Sequence, residues 1–542
     1  MKAICQTGSF ETFSMYNAIY VDKTELIYSL ISLPNRILIT RPRRFGKSLT
    51  LDTIGTLFEK GVEPYFKGTW IYDKWTEPTY PVLRLNFLNF DKRSLEKFNN
   101  KLNSKITEFA KLNKVSSYEE KADAEDSIDN LLEQLRLENR QIVILIDEYD
   151  CQMTANINNE TLYKQFQEKI KSFYANIKDK FAIKFLGITG VTRLKDVAIF
   201  SVGSDINDIT NESAYSQMIG FTRDEIKKYY IDYLKLAASY ENNCTVDDVT
   251  DAQLESMLDK LAQNYDGYCF DEFYKKKVFS TWSVNKFFQS VVNNKFVDFG
   301  EYWYDNGGLP SILVNYLKTH ELNIFEYLDK DKFLKVSIDD FKNPTALTTI
   351  NQNVLMCQTG YLTLRSDLKK SSTVLLGIPN GEIYKALNRL LANNIFKGNT
   401  DITDDYGRNL LEVGTVDDII NLFNSALNSV SYDNYPIVSE SSVQNMLKLY
   451  LLGAHQEVLS EVHEAKGRAD LIVNTDNRRI VFEFKYAKDE TEAKAKLSEA
   501  VEQIKTRDYG NILPKKAELI RIAAVFNADP KIRAFTQYKI VQ

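Results

Sequence analysis

The sequence is poor in the residues that punctuate, staple or anchor a chain. Proline occurs only 11 times in 542 residues, so long disordered linkers are not expected. Cysteine occurs five times, at Cys5, Cys151, Cys244, Cys269 and Cys357, far apart and with no C-x-x-C pair. That odd, scattered set argues against a disulfide framework. The three histidines, His320, His455 and His463, form no zinc-like spacing with the cysteines. No run of about 18 apolar residues is present, so no membrane-spanning helix is expected. The stretch "MKAICQTGSFETF" has no charged start followed by an apolar run, which predicts no signal peptide and a cytoplasmic protein. Excess positive charge is missing too. The formal charge is −6, so any contact with nucleic acid must come from local patches.

What is present is the composition of an ordinary globular protein, with 44% hydrophobic and 26% charged residues. The length suffices for roughly three or four domains, each with its own core. Residues 1–210 alternate apolar strand candidates (37–40, 82–87, 142–146, 183–189) with helical patterns (46–60, 92–112, 117–138, 160–177). That alternation predicts a mostly parallel sheet covered on both faces. Residues 211–430 read as mainly helical. "TRDEIKKYYIDYLKLAASY" has a threonine cap and apolar residues at helical spacing. The turns "NYDGYCF", "STWSV", "YWYDNGGLP" and "QTGYLTL" read as aromatic packing rather than ligand sites. Residues 431–542 form a third segment: a helix from Glu440, two strands, a charged helix at 490–506 and an apolar strand at 519–526.

"RILITRPRRFGKSLTLD" (36–52) nearly fits a phosphate-binding loop, in which backbone N–H groups and a helix N-terminus face phosphate oxygens. The pattern G-x-x-x-x-G-K-[ST] has Arg41 in place of its first glycine. That residue serves the shape of the loop's start, and Arg41 is tolerable if its φ stays negative, as the following Pro42 favours. Gly46 lets the backbone approach, Lys47 would reach the β and γ phosphates, and Ser48 would help hold Mg²⁺. Arg43 and Arg44 would add positive charge, and Arg43-Arg44-Phe45-Gly46-Lys47-Ser48-Leu49 is the candidate nucleotide-binding segment. GKS alone fits a plain helix-entry turn equally well. The second motif, "QIVILIDEYD", decides for a nucleotide: Asp147 would bind Mg²⁺ through water or Ser48, and Glu148 would polarise the attacking water. Thr189, ending the strand of "FAIKFLGITG", and Arg193 are candidate contacts to phosphate.

A separate constellation lies in "GRADLIVNTDNRRIVFEFKYAK" (467–488). A two-residue loop at Asp476-Asn477 pairs Thr475 with Arg478. Counting back, Asp470 then faces Glu483 across the hairpin, with Lys485 on the same face. Leu471, Val473, Ile480, Phe482 and Phe484 take the other face, expected to be buried. A solvated carboxylate–lysine pair is the bland reading. The alternative is a Mg²⁺ site at Asp470 and Glu483 that activates water, with Lys485 orienting the nucleophile or neutralising charge.

"YVDKT", "RPRRFGKSL", "LIDEYD", "ITGVTRL", "IFSVGSDINDIT", "GFTRDEI", "DGYCF" and "QTGYLTL" together resemble the AAA-ATPase-like family of bacterial and mobile-element proteins. Its phosphate loop lacks the first glycine as a habit. The resemblance implies an α/β fold: a P-loop NTPase core with a parallel sheet (1–210), a helical middle region (211–430) and a PD-(D/E)xK, restriction endonuclease-like domain (431–542). "GRAD" and "EFK" match that domain's central motifs at Asp470, Glu483 and Lys485. The resemblance places the leading carboxylate at Glu440, with Glu461 as runner-up, and a glutamine of the site at Gln503. With both sites intact in one chain, the expected function is an ATP- and Mg²⁺-using ATPase coupled to a nuclease acting on DNA. RNA as substrate and a homo-oligomer stay open. The alternative is a nucleotide-switched nucleic-acid-binding or scaffold protein with an inactive nuclease fold. Lys466, Arg468, Lys485 and Lys488 are the candidates for a local basic patch.

Overall fold

The computed structural model describes all residues except 33–34, 178–179, 194–205, 306–310, 318–319, 321–323, 345, 348, 397–406, 432, 455, 465–466 and 512–513, and only the backbone of 304, 305, 311 and 461–464. The chain forms two compact units, one of residues 1–322 and 331–383, the other of 323–330 and 384–542.

The first unit is organised by a parallel sheet of β1 (Asn35–Thr40), β2 (Val82–Asn86), β3 (Ile142–Asp147), β4 (Ile183–Gly190) and β5 (Asn207–Asp208), in the order β2-β3-β4-β1-β5. Every residue of β3 is buried, which explains its unbroken apolar run. Helices Lys47–Lys60, Leu95–Leu112, Ala124–Leu137 and Glu160–Ile177 connect the strands. The helix expected at 117–138 begins seven residues late, at Ala124. Lys114 and Ser117 take positive φ (51° and 58°), which a helix does not tolerate.

After β5, helices Arg223–Tyr229, Ile231–Asn242, Asp251–Tyr265 and Thr281–Asn294 share a core that includes Leu234, Leu258, Leu261, Phe287 and Phe288. Thr222 and Glu225 form a reciprocal cap on the first of these, and Thr250 and Gln253 on the third. The helical middle region also carries a small antiparallel sheet that its sequence does not announce. Its strands are β6 (Leu334–Ser337), β7 (Thr363–Leu364) and β8 (Thr373–Gly377), too short to give a periodic signal.

The second unit holds β9 (Glu457–Glu464), β10 (Gly467–Asn474), β11 (Arg478–Ala487), β12 (Glu518–Asn527) and β13 (Ala534–Ile540), ordered β13-β12-β11-β10-β9. Only β11 and β12 run parallel. The hairpin register is the expected one: Leu471 faces Phe482 and Asn474 faces Arg479. Leu471, Val473, Ile480, Phe482 and Phe484 are all fully buried. The opposite face is covered as well, because Ile472 and Val481 pack with Ala500 and Ile504 of the helix Glu490–Arg507. The sites therefore sit on sheets packed on both faces, which fixes their strands.

Candidate functional site

In the first unit, residues 41–46 turn from β1 into the helix Lys47–Lys60. Gly46 adopts φ 102°, a left-handed conformation that glycine takes without strain. The loop curls around its own lysine. Lys47 is 4% exposed, and its Nζ donates to the carbonyls of Arg41 and Pro42 at 3.1 Å each, lying 3.7 Å from Glu148 Oε1. Ser48 Oγ donates to Asp147 Oδ2 at 2.6 Å. Thr189 Oγ1 and the Glu148 backbone N–H donate to the other oxygen, Asp147 Oδ1. These residues meet because β4 lies between β1 and β3, with Thr189 beside Ile39 and Ile188 beside Ile146. Glu148 takes φ 53°, and burial pushes its carboxyl pKa up, with Lys47 opposing and Asp150 and Asp147 adding to the rise. Asp150 is buried and accepts from Thr192 N at 2.7 Å and Thr192 Oγ1 at 2.6 Å, so "DEYD" and "ITGVT" are locked together.

The other loop residues brace the turn. Arg41 is 1% exposed and its φ is not positive. Its Nη1 donates to the carbonyls of Thr40 and Thr210 at 2.8 and 2.7 Å, and its guanidinium lies 4.1 Å from the Phe270 ring centroid. An arginine in the glycine position is thus a tie between the loop and the residues after β5. Arg44, with φ 68°, stacks on Trp282 and donates to Tyr302 O. Phe45 is buried against Tyr268, Phe270 and Trp303, with centroids 4.7, 5.5 and 6.0 Å away. The aromatic turns of the middle region do pack, and what they pack against is the loop. Gly360 (φ 94°) shows how closely: a Cβ there would lie 2.8 Å from Pro42. Arg193 pairs with Asp208, its backbone N–H donates to Gln358 Oε1 and its carbonyl accepts from Gln358 Nε2, and it does not line the cleft that Lys47 lines.

That cleft has a volume of about 510 Å³. Arg43 to Thr50 and Glu148 form its polar end. Ile19, Val21, Met218, Ile219, Phe221 and Tyr230 form an apolar end that sequence reasoning did not assign. The signal was available in the paired motifs "YVDKT" and "GFTRDEI". Lys23, which lines the cleft, donates from Nζ to both Glu225 carboxylate oxygens (2.6 and 2.7 Å) and to Gln217 O (2.7 Å), tying one motif to the other.

In the second unit the hairpin brings Asp470, Glu483 and Lys485 together. Lys485 Nζ donates to Glu483 Oε1 at 3.0 Å and reaches Glu440 Oε1 at 3.3 Å. Glu440 opens the helix Glu440–Gly453, whose Gln444 donates to the Asp470 carbonyl. Asp470 Oδ2 accepts from Phe484 N at 2.8 Å. Glu483 is fully buried, and its Oε2 has no hydrogen-bond partner among the described residues. Burial, then Asp470, raises its pKa to about 7, against the lowering pull of Lys485. A buried carboxylate oxygen without a donor, beside a second carboxylate, suits a divalent cation. Asp470 and Glu483 would hold it. Gln503 Nε2 lies 3.5 Å from Tyr509 Oη on the helix behind the hairpin. The side chains of Glu461 and Lys466 lie outside the described residues, as does most of the motif "IFSVGSDINDIT".

Comparison with known proteins bears on both sites. Residues 5–200 match the family model described as predicted AAA-ATPase, and residues 438–535 match that of the PD-(D/E)XK nuclease superfamily. A protein of Azotobacter chroococcum mcd 1, described as uncharacterized and lying in the vnfD 5′ region, is 26% identical over 527 residues, spanning 94% of this chain and 93% of its own length. Among solved structures, Cdc6p of Pyrobaculum aerophilum (12% identity, 68% of this chain and 92% of that chain, TM-score 0.23) and the ORC2 protein of Aeropyrum pernix (13%, 72% and 96%, 0.23) are similar at a level that carries no argument. No helix among the described residues is long and apolar enough to cross a membrane. The chain therefore joins a domain of the predicted AAA-ATPase family at residues 5–200 to a domain of the PD-(D/E)XK nuclease superfamily at residues 438–535.

Proposed function

We propose that the protein binds and hydrolyses ATP and that nucleotide controls a Mg²⁺-dependent nuclease acting on DNA. The observation that carries the nuclease half is the buried Glu483 carboxylate, with a lysine on one oxygen and, among the described residues, no partner on the other. A divalent cation bound there supplies charge for the transition state and lowers the pKa of its water. Lys485 then holds Glu483 in place and keeps an ammonium beside the reacting phosphate, while Glu440 fixes Lys485 from the far side. For the ATPase half, Lys47 exchanges its bonds to Arg41 O and Pro42 O for phosphate oxygens. Ser48 and Asp147 provide the ligands for Mg²⁺, Glu148 orients the attacking water, and Thr189 holds Asp147. The apolar end of the cleft accepts the base.

A second reading, a nucleotide-switched DNA-binding protein without cleavage, is favoured by one observation. The carboxylate charge is already met inside the protein, because Lys485 Nζ donates to Glu483 Oε1 and lies 3.3 Å from Glu440 Oε1. Nicking of supercoiled plasmid by the full chain in Mg²⁺ or Mn²⁺, with and without ATP, separates the two. The nuclease reading predicts nicking that disappears in Asp470→Ala and changes in Lys47→Ala. Plasmid retained in gel shifts but never nicked supports the switch. Nicking unchanged in Lys47→Ala contradicts control by nucleotide.

A further inference from the structure

Gly467 opens the "GRAD" motif, yet it does not need glycine's conformational freedom, since it is not among the residues of positive φ. Its reason is steric. A Cβ at 467 would lie 2.5 Å from Arg507 Cδ and 3.1 Å from its Cγ. The glycine makes room for an arginine stem that runs from the last residue of the helix Glu490–Arg507 along the start of β10. Arg507 lies one turn beyond Gln503, so both present to the same face of their helix. The hydroxyl of the buried Tyr509 accepts from Arg507 Nη1 at 2.8 Å, which fixes the guanidinium, and lies 3.5 Å from Gln503 Nε2. The Tyr509 bond raises the pKa of Arg507, and the charges of Glu483 and Asp470 add to the rise. The arginine is therefore within the electrostatic reach of the two carboxylates while being tied to neither by a hydrogen bond.

We propose that Arg507 binds a phosphate of the nucleic-acid backbone at the Asp470–Glu483 site, with Gly467 providing its space and Tyr509 its aim. The assignment rests on the reading of residues 438–535 as a nucleic-acid-processing domain. A guanidinium suits the task because it carries a permanent charge and several donors in one plane, and a phosphodiester offers two unbridged oxygens. Within the field of two carboxylates that repel the substrate, a cation of this kind also offsets part of that field.

The test uses the full chain and the variants Arg507→Ala, Arg507→Lys and Gly467→Ala. Plasmid nicking is measured in Mg²⁺, and binding of a labelled DNA duplex in Ca²⁺ over a range of salt. Arg507→Ala is expected to slow nicking about 10²-fold and to reduce the slope of log affinity against log salt by about 1. Arg507→Lys should recover part of the affinity, since the charge returns without the planar donors. Gly467→Ala should impair the wild-type chain and add nothing in the Arg507→Ala background, because the methyl group acts through the arginine. If the wild type binds duplex without nicking it and Arg507→Ala loses that binding, the phosphate contact stands and the nuclease reading falls. If the wild type nicks and Arg507→Ala nicks within about threefold of it, the proposal falls and the nuclease reading stands. A Gly467→Ala penalty of equal size in both backgrounds overturns the proposal, and a wild type that neither nicks nor binds overturns both.

Discussion

Asp147 and Glu483 are carboxylates at the ends or middles of buried strands, and they are held in opposite ways. Asp147 has donors on both oxygens, from Ser48, Thr189 and the Glu148 backbone. Glu483 has Lys485 on one oxygen and, among the described residues, no partner on the other, in full burial. The first site is a finished network. Its lysine, hydroxyls and carboxylates neutralise one another, and a ligand has to displace protein–protein bonds to enter. The second leaves a desolvated lone pair, which costs stability until a cation or a proton arrives. Polar satisfaction thus distinguishes a site that rearranges around its ligand from one that waits for a charge.

The largest effect expected from breaking this contrast is at Glu483. Glu483→Gln should reduce nicking by about 10³-fold while raising the melting temperature of the metal-free chain, because it removes a buried charge. Lys47→Ala should lower ATP turnover by about 10²-fold or more in a phosphate-release assay, with no gain in stability, since its bonds to Arg41 O and Pro42 O are lost. Arg41→Gly restores the loop glycine and inverts the usual expectation. It should cost about 3 kcal/mol in denaturant unfolding, through lost bonds to Thr40 O and Thr210 O and the lost Phe270 contact, and leave ATP affinity within about threefold.

The smallest effect is a pH slope in the first unit. Burial pushes Glu382 up to about 8 from its ordinary 4.5, although Ser283 Oγ and Trp303 N both donate to it at 2.7 Å. The folded chain holds this proton longer than the unfolded chain, so stability falls as pH rises between 4.5 and about 8. Glu382→Gln, whose carbonyl can keep the Trp303 N–H bond while its amide donates to Ser283 Oγ, should flatten that slope and raise the melting temperature at pH 8 by roughly 3 °C.

Much of both sites was legible because strand chemistry is local. The apolar run of β3 ending at Asp147 and the register fixed by Asp476-Asn477 each follow from fewer than a dozen neighbouring residues. The hairpin count alone places Glu483 and Lys485 on one face, and the observed pairing of Leu471 with Phe482 keeps that register. Three things were not legible, for a common reason. The side chains at Arg41, Arg44 and Phe45 are determined by Thr210, Trp282 and Trp303, more than 150 residues away, so their bracing role has no local signature. The apolar end of the cleft draws on Ile19, Val21 and Met218, which look like any core residues in sequence. Strands β9 and β13 are edge strands with mixed polar composition, and edge positions weaken the alternation that reveals a strand.

The central claim, that the first site is internally satisfied and the second requires a cation, is tested most directly by titrating Mn²⁺ into the chain without nucleotide or DNA and measuring heat. The account predicts a binding event that is abolished in Glu483→Gln and kept in Asp147→Asn. An isotherm identical in the wild type and Glu483→Gln, or lost only in Asp147→Asn, would contradict it.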